Sequence, residues 1–365
     1  MNILFSESSL NLGGQELQIL QQMTALQKQG IAVTLLAQSV SRIYQKAVRL
    51  GLPVFPVPFR NSLHLPSFFK VLSAISKTKA NYLITHSGKD ANVCGLAARL
   101  SKRRPTVIRV RTYQAGFPKT FTYNWLADLT LVPSKLMRGQ IVRNPKIKKE
   151  RIQLLYPGID FEKIKSQSDL PLAKPLADWL TAHPGKIISH VAMLRPEKGH
   201  LFMLKVIRDL LHDFPTLRYV VAGEGQETYK NLIKESIYSL GLTEHVFLAG
   251  LLDVIAPLLK KTDLLVMPSL QEPLGMSQSE ALSLGVPVMG SDVDGIPETI
   301  AHQKTGLLAK PGNMPDWCAG VRFALHNPEK MLEMAQAGQA DVMERFPLQT
   351  NIDSFLKYLK EAKAT

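Results

Sequence analysis

Short apolar segments alternate with runs of helical hydrophobic spacing through most of this chain, and that alternation narrows the available folds more than any other feature. Asn2 to Ser6 is a short apolar strand, followed by a Gly13-Gly14 loop and an amphipathic run carrying Leu17, Leu20, Met23 and Leu26. Gly30 closes that helix, and Ile31 to Leu36 is the next buried strand. The rhythm continues with Tyr82 to Thr85, a helix over Val93 to Leu100, Thr106 to Val110 and Leu129 to Val132. Mostly apolar strands separated by helices predict a parallel sheet covered on both faces.

Between Asp160 and Trp179 the periodicity lapses across Lys163, Lys165, Ser166, Ser168, Pro171 and Pro175, which predicts an interdomain linker. The rhythm restarts at Lys186 to Ala192 and continues with a helix from Leu201 to Phe214, Leu217 to Ala222, a helix across Leu232 to Leu240, Val246 to Leu248, Leu264 to Met267 and Pro287 to Gly290. At about 100–200 residues per domain, a chain of 365 residues accommodates two. The expected fold class is α/β: two Rossmann-like, doubly wound parallel-sheet domains, 1–165 and 166–345, facing a central cleft, with 346–365 a helix packing back on the first. The sequence has no repeat with a period of 20–50 residues, which argues against solenoids and propellers.

Charge separates the halves. The net charge is +14, yet residues 1–170 hold 25 basic and 8 acidic residues while 171–365 hold 19 and 22. Such asymmetry points to an anionic partner for the first half: nucleic acid, a phospholipid surface or a phosphorylated substrate. From Arg60 to Lys79, apolar and basic residues interleave. With Arg99, Lys102 to Arg104 and the run Arg143, Lys146, Lys148, Lys149 and Arg151, they form a candidate face for anionic headgroups. A basic nucleic-acid-binding protein is the rival from another class; the sequence lacks the interleaved aromatic platforms that class uses, so no nucleic-acid partner is expected. The start has no basic n-region or long apolar run, and no stretch reaches the ~18 apolar residues of a spanning helix. The two cysteines, Cys94 and Cys318, have no metal-ligand spacing. The expectation is a cytoplasmic protein, peripheral on the inner face of the plasma membrane, with no metal site.

The sharpest motif runs from Gln271 to Val288. Glu272 and Glu280 flank Gly275, between the strand Leu264 to Met267 and a helix expected to start near Met276. Amides at Gly275, Met276 and Ser277 suit a phosphate oxygen, and Glu280, farther into the helix, suits a ribose hydroxyl pair. Upstream, Val191 to His200 delivers Arg195, Lys198 and a tight-turn glycine. Ala222-Gly-Glu-Gly225, Phe247-Leu-Ala-Gly250, Asp292-Val-Asp-Gly-Ile-Pro-Glu298 and Gly306 complete the series. In the first half, Thr85-His86-Ser-Gly-Lys-Asp90 and Arg109-Val-Arg111-Thr-Tyr113 follow or end strands, and Tyr156-Pro-Gly158-Ile-Asp160 closes the domain.

As an ordered set these segments resemble the family-4 retaining glycosyltransferases of the bacterial lipopolysaccharide and envelope-glycan type, over nearly the whole chain. The resemblance implies the GT-B fold, with an acceptor-binding first domain and a nucleotide-sugar-binding second domain. It implies transfer of a sugar from a nucleotide-diphosphate sugar to a glycan or lipid-linked acceptor, without a metal or any cofactor beyond that co-substrate. Lys198 and Arg195 would neutralise the diphosphate, Glu272 would hold the donor sugar, and Glu280 the ribose. Gly14, Gly223 and Gly250 would let backbone approach the donor, and His86 or Asp90 would bind or deprotonate the acceptor hydroxyl. Retention would need no enzymatic nucleophile, because the departing phosphate oxygen can accept the proton of the acceptor. Two positions depart from the pattern: Met193 stands where the family usually has arginine, and Thr112 where it has histidine. A soluble anionic acceptor is the alternative; an epimerase or phosphorylase of similar fold is the rival within enzymology.

Overall fold

The computed structural model describes residues 1–112 and 116–364, and the chain divides into two compact units, 1–158 with 348–365 and 159–347. Unit 1 runs β1 (Asn2–Glu7), α1 (Gly14–Lys28), β2 (Ala32–Ala37), α2 (Arg42–Arg49), β3 (Val54–Pro56), α3 (Leu65–Lys77), β4 (Tyr82–Thr85), α4 (Gly88–Leu100), β5 (Thr106–Val110), α5 (Thr120–Asn124), β6 (Leu129–Val132), α6 (Lys135–Val142) and β7 (Ile152–Leu154). Its sheet is parallel throughout, in the order β3-β2-β1-β4-β5-β6-β7. β4 and β6 are buried at every position, as a sheet covered on both faces requires.

Unit 2 runs α7 (Phe161–Gln167), α8 (Lys174–Ala182), β8 (Ile187–Val191), α9 (His200–Leu210), β9 (Arg218–Ala222), α10 (Glu227–Ser239), β10 (Val246–Gly250), α11 (Ala256–Lys260), β11 (Leu264–Met267), α12 (Met276–Ser283), β12 (Val288–Ser291), β13 (Leu307–Ala309), α13 (Met314–His326) and α14 (Pro328–Arg345). Its six strands are also parallel, in the order β10-β9-β8-β11-β12-β13. In both units the strand order reverses beside the first strand, between β1 and β4 and between β8 and β11. Ligands of doubly wound sheets bind at the carboxyl ends of strands at such switch points.

The final helix, α15 (Leu348–Ala364), belongs to unit 1: Ile352, Phe355 and Leu359 are fully buried in the core that holds Ile3 and Phe5. Asn351 fixes it, accepting from Gln22 at 2.8 Å and donating to the Tyr156 carbonyl at 2.5 Å.

The segment read as a linker is helical instead. Asp160 caps α7 by accepting from the Lys163 amide at 3.0 Å. Pro175 sits in the first turn of α8, where its missing N–H costs nothing, and Leu176 is buried against Val220, Ala222 and Leu258. α4 likewise starts at Gly88 rather than Val93: its first turn carries buried Asp90, which accepts from the His86 amide and the Ser6 and Ser8 hydroxyls and which hydrophobic spacing does not register. No helix among the described residues is long and apolar enough to cross a membrane.

Candidate active site

At the switch point of unit 1, β1 delivers Ser6 and Glu7, and β4 leads into His86. Asp90, in the first turn of α4, is fully buried. Its Oδ2 accepts from the Ser6 hydroxyl at 2.6 Å and the His86 amide at 3.1 Å, and its Oδ1 from the Ser8 hydroxyl at 3.2 Å. Burial, reinforced by the Glu7 carboxyl, pushes Asp90 well above the usual carboxylate range. His86 is buried too; its Nδ1 lies 3.0 Å from the Ser6 carbonyl oxygen, and its ring stacks on Phe5. Burial lowers its pKa to about 4, so the imidazole is neutral near pH 7. Because a carbonyl only accepts, Nδ1 carries the proton and Nε2 keeps its lone pair.

Glu7 is a site residue the motifs missed. It is fully buried, and burial raises its pKa. Its carboxylate accepts from the Ser87 hydroxyl at 2.5 Å, the Ser9 amide at 2.7 Å and the Gln15 amide group at 2.5 Å. Gln15 in turn accepts from the Thr112 hydroxyl at 2.5 Å. One carboxylate thus ties together the loops after β1, β4 and β5. The available signal was a charged residue closing an apolar strand just before the glycine loop. An open cavity of about 810 Å³ lies alongside, lined by Ser8, Asn11, Gln38, Ser87, Arg60 and Lys89 among others. Its Ser8 and Ser87 hydroxyls bond to Asp90 and Glu7.

Arg109 is buried, with its guanidinium 4.8 Å from the centre of the Tyr123 ring and Nε without a partner among the described residues. Tyr113, at the end of that motif, lies outside the described residues. Gly14 opens α1, and a Cβ there would meet nothing within 4 Å, so packing does not demand glycine.

Unit 2 brings Lys198 and Glu272 together across 74 residues of sequence. Lys198 Nζ donates to Glu272 Oε2 at 2.6 Å, with both side chains largely buried. Gly199 makes this pairing feasible: it has φ +77°, and a Cβ there would lie 2.0 Å from the Pro268 carbonyl oxygen. Only glycine lets the Lys198 turn press against the exit of β11. Backbone bonds clamp Glu272, whose amide donates to Asp294 at 3.0 Å and whose carbonyl accepts from Gly295 at 2.9 Å. Asp294 had no role assigned from sequence.

The amides of Gly275, Met276 and Ser277 open α12 and have no hydrogen-bond acceptor among the described residues. Glu280, half-buried on that helix, has no side-chain hydrogen bond there either, and burial pushes its carboxyl up to about 7. Gly223 has φ +153°, and a Cβ would lie 1.9 Å from the Ala192 carbonyl oxygen; its amide donates to the Gly250 carbonyl at 2.8 Å. Gly250, at the end of β10, has φ +66° and open space around it. Arg195 stands apart: it is exposed, 3.9 Å from Glu197, and among the described residues it has no ion pair with Glu272. Next to the Lys198 turn, His200 stacks on His190 with ring centres 4.2 Å apart. Burial lowers both, His200 to about 4, with the Lys198 charge contributing.

Residues 12–163 match the family described as Glycosyltransferase Family 4, and residues 177–341 match Glycosyl transferases group 1. A sulfoquinovosyl transferase of Arabidopsis thaliana is 26% identical over 304 residues, covering 77% of this chain and 57% of that protein. A D-inositol 3-phosphate glycosyltransferase of Segniliparus rotundus is 24% identical over 240 residues, covering 65% and 53%. The chain spans about half the length of the curated relatives it matches. Among solved structures, Anabaena HepE in complex with UDP and glucose has a TM-score of 0.85 at 19% identity, covering 99% of each chain. The fold is therefore that of the GT-B glycosyltransferases, two Rossmann-like parallel-sheet domains.

Proposed function

We propose that this chain, which carries a Glycosyltransferase Family 4 domain followed by a Glycosyl transferases group 1 domain, moves a sugar from a nucleoside-diphosphate donor to an acceptor hydroxyl with retention of configuration. The observation that carries the reading is the Lys198–Glu272 pair at the switch point of unit 2. On donor binding, Lys198 turns its ammonium to the diphosphate, and the α12 amides take further phosphate oxygens. Glu272, released from Lys198, accepts hydrogen bonds from the donor sugar. Glu280 holds the ribose, Gly223 and Gly250 keep backbone open beside the nucleotide, and Arg195 adds charge from the rim. A lysine and helix amides supply the charge compensation, so the step runs without a metal.

The acceptor sits in unit 1, its hydroxyl held by His86 Nε2, while buried Asp90 fixes the His86 amide and the Ser6 and Ser8 hydroxyls beneath it. As the anomeric carbon leaves the phosphate oxygen, that oxygen takes the acceptor proton and the new glycosidic bond forms on the same face. A uridine donor is favoured by the solved likeness in complex with UDP and glucose. A lipid-linked or lipopolysaccharide-type acceptor, used in envelope glycan synthesis at the cytoplasmic face of the membrane, is favoured by 25 basic against 8 acidic residues in 1–170. Transfer assays with UDP-sugars and lipid-linked glycan acceptors test this, with the product's anomeric configuration read by NMR. An inverted product refutes retention. If no UDP-sugar is consumed with any acceptor, the uridine-donor reading fails.

A further inference from the structure

We propose that the aromatic turn at α5, with the basic loop that holds it, is a platform that docks the protein on an anionic bilayer, the Phe121 and Trp125 rings entering the headgroup region. The proposal rests on the membrane partner inferred above and assigns it a place on the molecule. Phe117, Phe121 and Trp125 are 68%, 58% and 45% exposed. The last two stack on each other with ring centres 4.9 Å apart and planes 18° apart. Three large exposed apolar side chains within nine residues of sequence, two of them stacked, mark a contact surface rather than scattered exposure.

The turn is held from several sides. Asn124 donates to the Lys146 carbonyl at 2.7 Å and accepts from the Lys148 amide at 3.2 Å. Arg151 donates to the Asn124 carbonyl at 2.9 Å, Arg99 to the Trp125 carbonyl at 2.8 Å, and Asn144 to the Pro118 carbonyl at 2.8 Å. These bonds present the rings at little ordering cost on binding.

The composition of the clamp selects the partner. Lys119, Arg143, Lys146, Lys148 and Lys149 are exposed and have no ion pair among the described residues. Glu150 is the one acid in the loop from 143 to 151. Each cation near an anionic bilayer strengthens adsorption about five-fold, and Trp and Phe favour the interface between headgroup and chain. Single-stranded nucleic acid stacks its bases on aromatic faces, and the Phe121–Trp125 stack covers one face of each ring.

Co-sedimentation with phosphatidylcholine vesicles, with and without phosphatidylglycerol, tests the proposal, together with quenching of tryptophan fluorescence by brominated acyl chains. Trp125 is the exposed member of three tryptophans; Trp317 is fully buried and Trp179 half-buried. The wild type should pellet with the anionic vesicles at low salt and be quenched. Phe121→Ser/Trp125→Ser should weaken binding about ten-fold, and Lys148→Glu/Lys149→Glu at least as much, with the thermal melts unchanged. If the wild type ignores anionic vesicles, or is retained on single-stranded DNA instead, both the membrane partner and the platform fall. If it pellets but the aromatic variant pellets equally, or Trp125 is not quenched, the platform alone falls and another basic face carries the binding.

Discussion

The two switch points share one architecture and differ in how they treat charge. Unit 1 buries Glu7, Asp90 and His86 together, with both carboxyls raised and the imidazole lowered, so its network favours neutral groups. Unit 2 keeps a lysine–glutamate pair at 2.6 Å and, at the start of α12, amides that have no acceptor among the described residues. The first arrangement suits hydroxyls, which exchange hydrogen bonds without bringing charge into a dry site. The second suits an anion, because a phosphate can take the place of the Glu272 carboxylate on Lys198 and keep the ammonium paired, while the freed carboxylate accepts hydrogen bonds from sugar hydroxyls. Two copies of one fold thereby present a neutral hydrogen-bonding network in one unit and a paired charge in the other.

The largest expected effect is on the charged side. Lys198→Ala and Glu272→Ala should each lower turnover by ~100-fold or more, the usual cost of deleting a transition-state contact, with the fold retained. Steady-state kinetics checks this, and wild-type turnover removes the residue from the site. Glu280→Ala should weaken nucleotide binding about ten-fold with little change in kcat, since a ribose contact serves ground and transition states alike. Calorimetric titration of nucleoside diphosphates measures it. On the neutral side, His86→Ala should raise the acceptor KM about ten-fold and leave nucleotide affinity alone, a split that unit 2 variants should not show.

The smallest effect is in stability. His86, His190 and His200 have lowered pKa values, so the stability they contribute is present above 6.5. As pH falls from 6.5 towards 4, the unfolded chain takes up their protons first and that stability is lost, at about 1 kcal/mol per pH unit for each fully shifted group. Two of the three sit in unit 2, so His190→Gln/His200→Gln should reduce the acid slope of urea denaturation more than His86→Gln does. Equal slopes would show that the His190–His200 stack is not the unit 2 acid sensor.

The parallel sheets were legible because both faces are covered, which leaves uninterrupted apolar strands between helices. The glycine positions were legible for a related reason: at Gly199 and Gly223 a side chain would strike backbone, so the motif records a close approach. Failures came where polar bonding replaces hydrophobic spacing. Pro175 and the lysines around it read as a linker but begin α8 and line α7. Glu7 carries no motif, and its importance arises from Ser87 and Gln15, brought to it by the fold. Arg195 shows the reverse: its spacing suggested partnership with Lys198, yet its side chain points to Glu197.

On the proposed reading, Lys198 in unit 2 receives the donor diphosphate. Chemical denaturation of the wild type and Lys198→Ala, with and without saturating UDP, tests it most directly. At 100 times the dissociation constant, UDP should stabilise the wild type by ~2.7 kcal/mol, and at that same concentration most of the gain should disappear in the variant. Equal stabilisation of both proteins, or none in the wild type, would rule out Lys198 as the diphosphate contact.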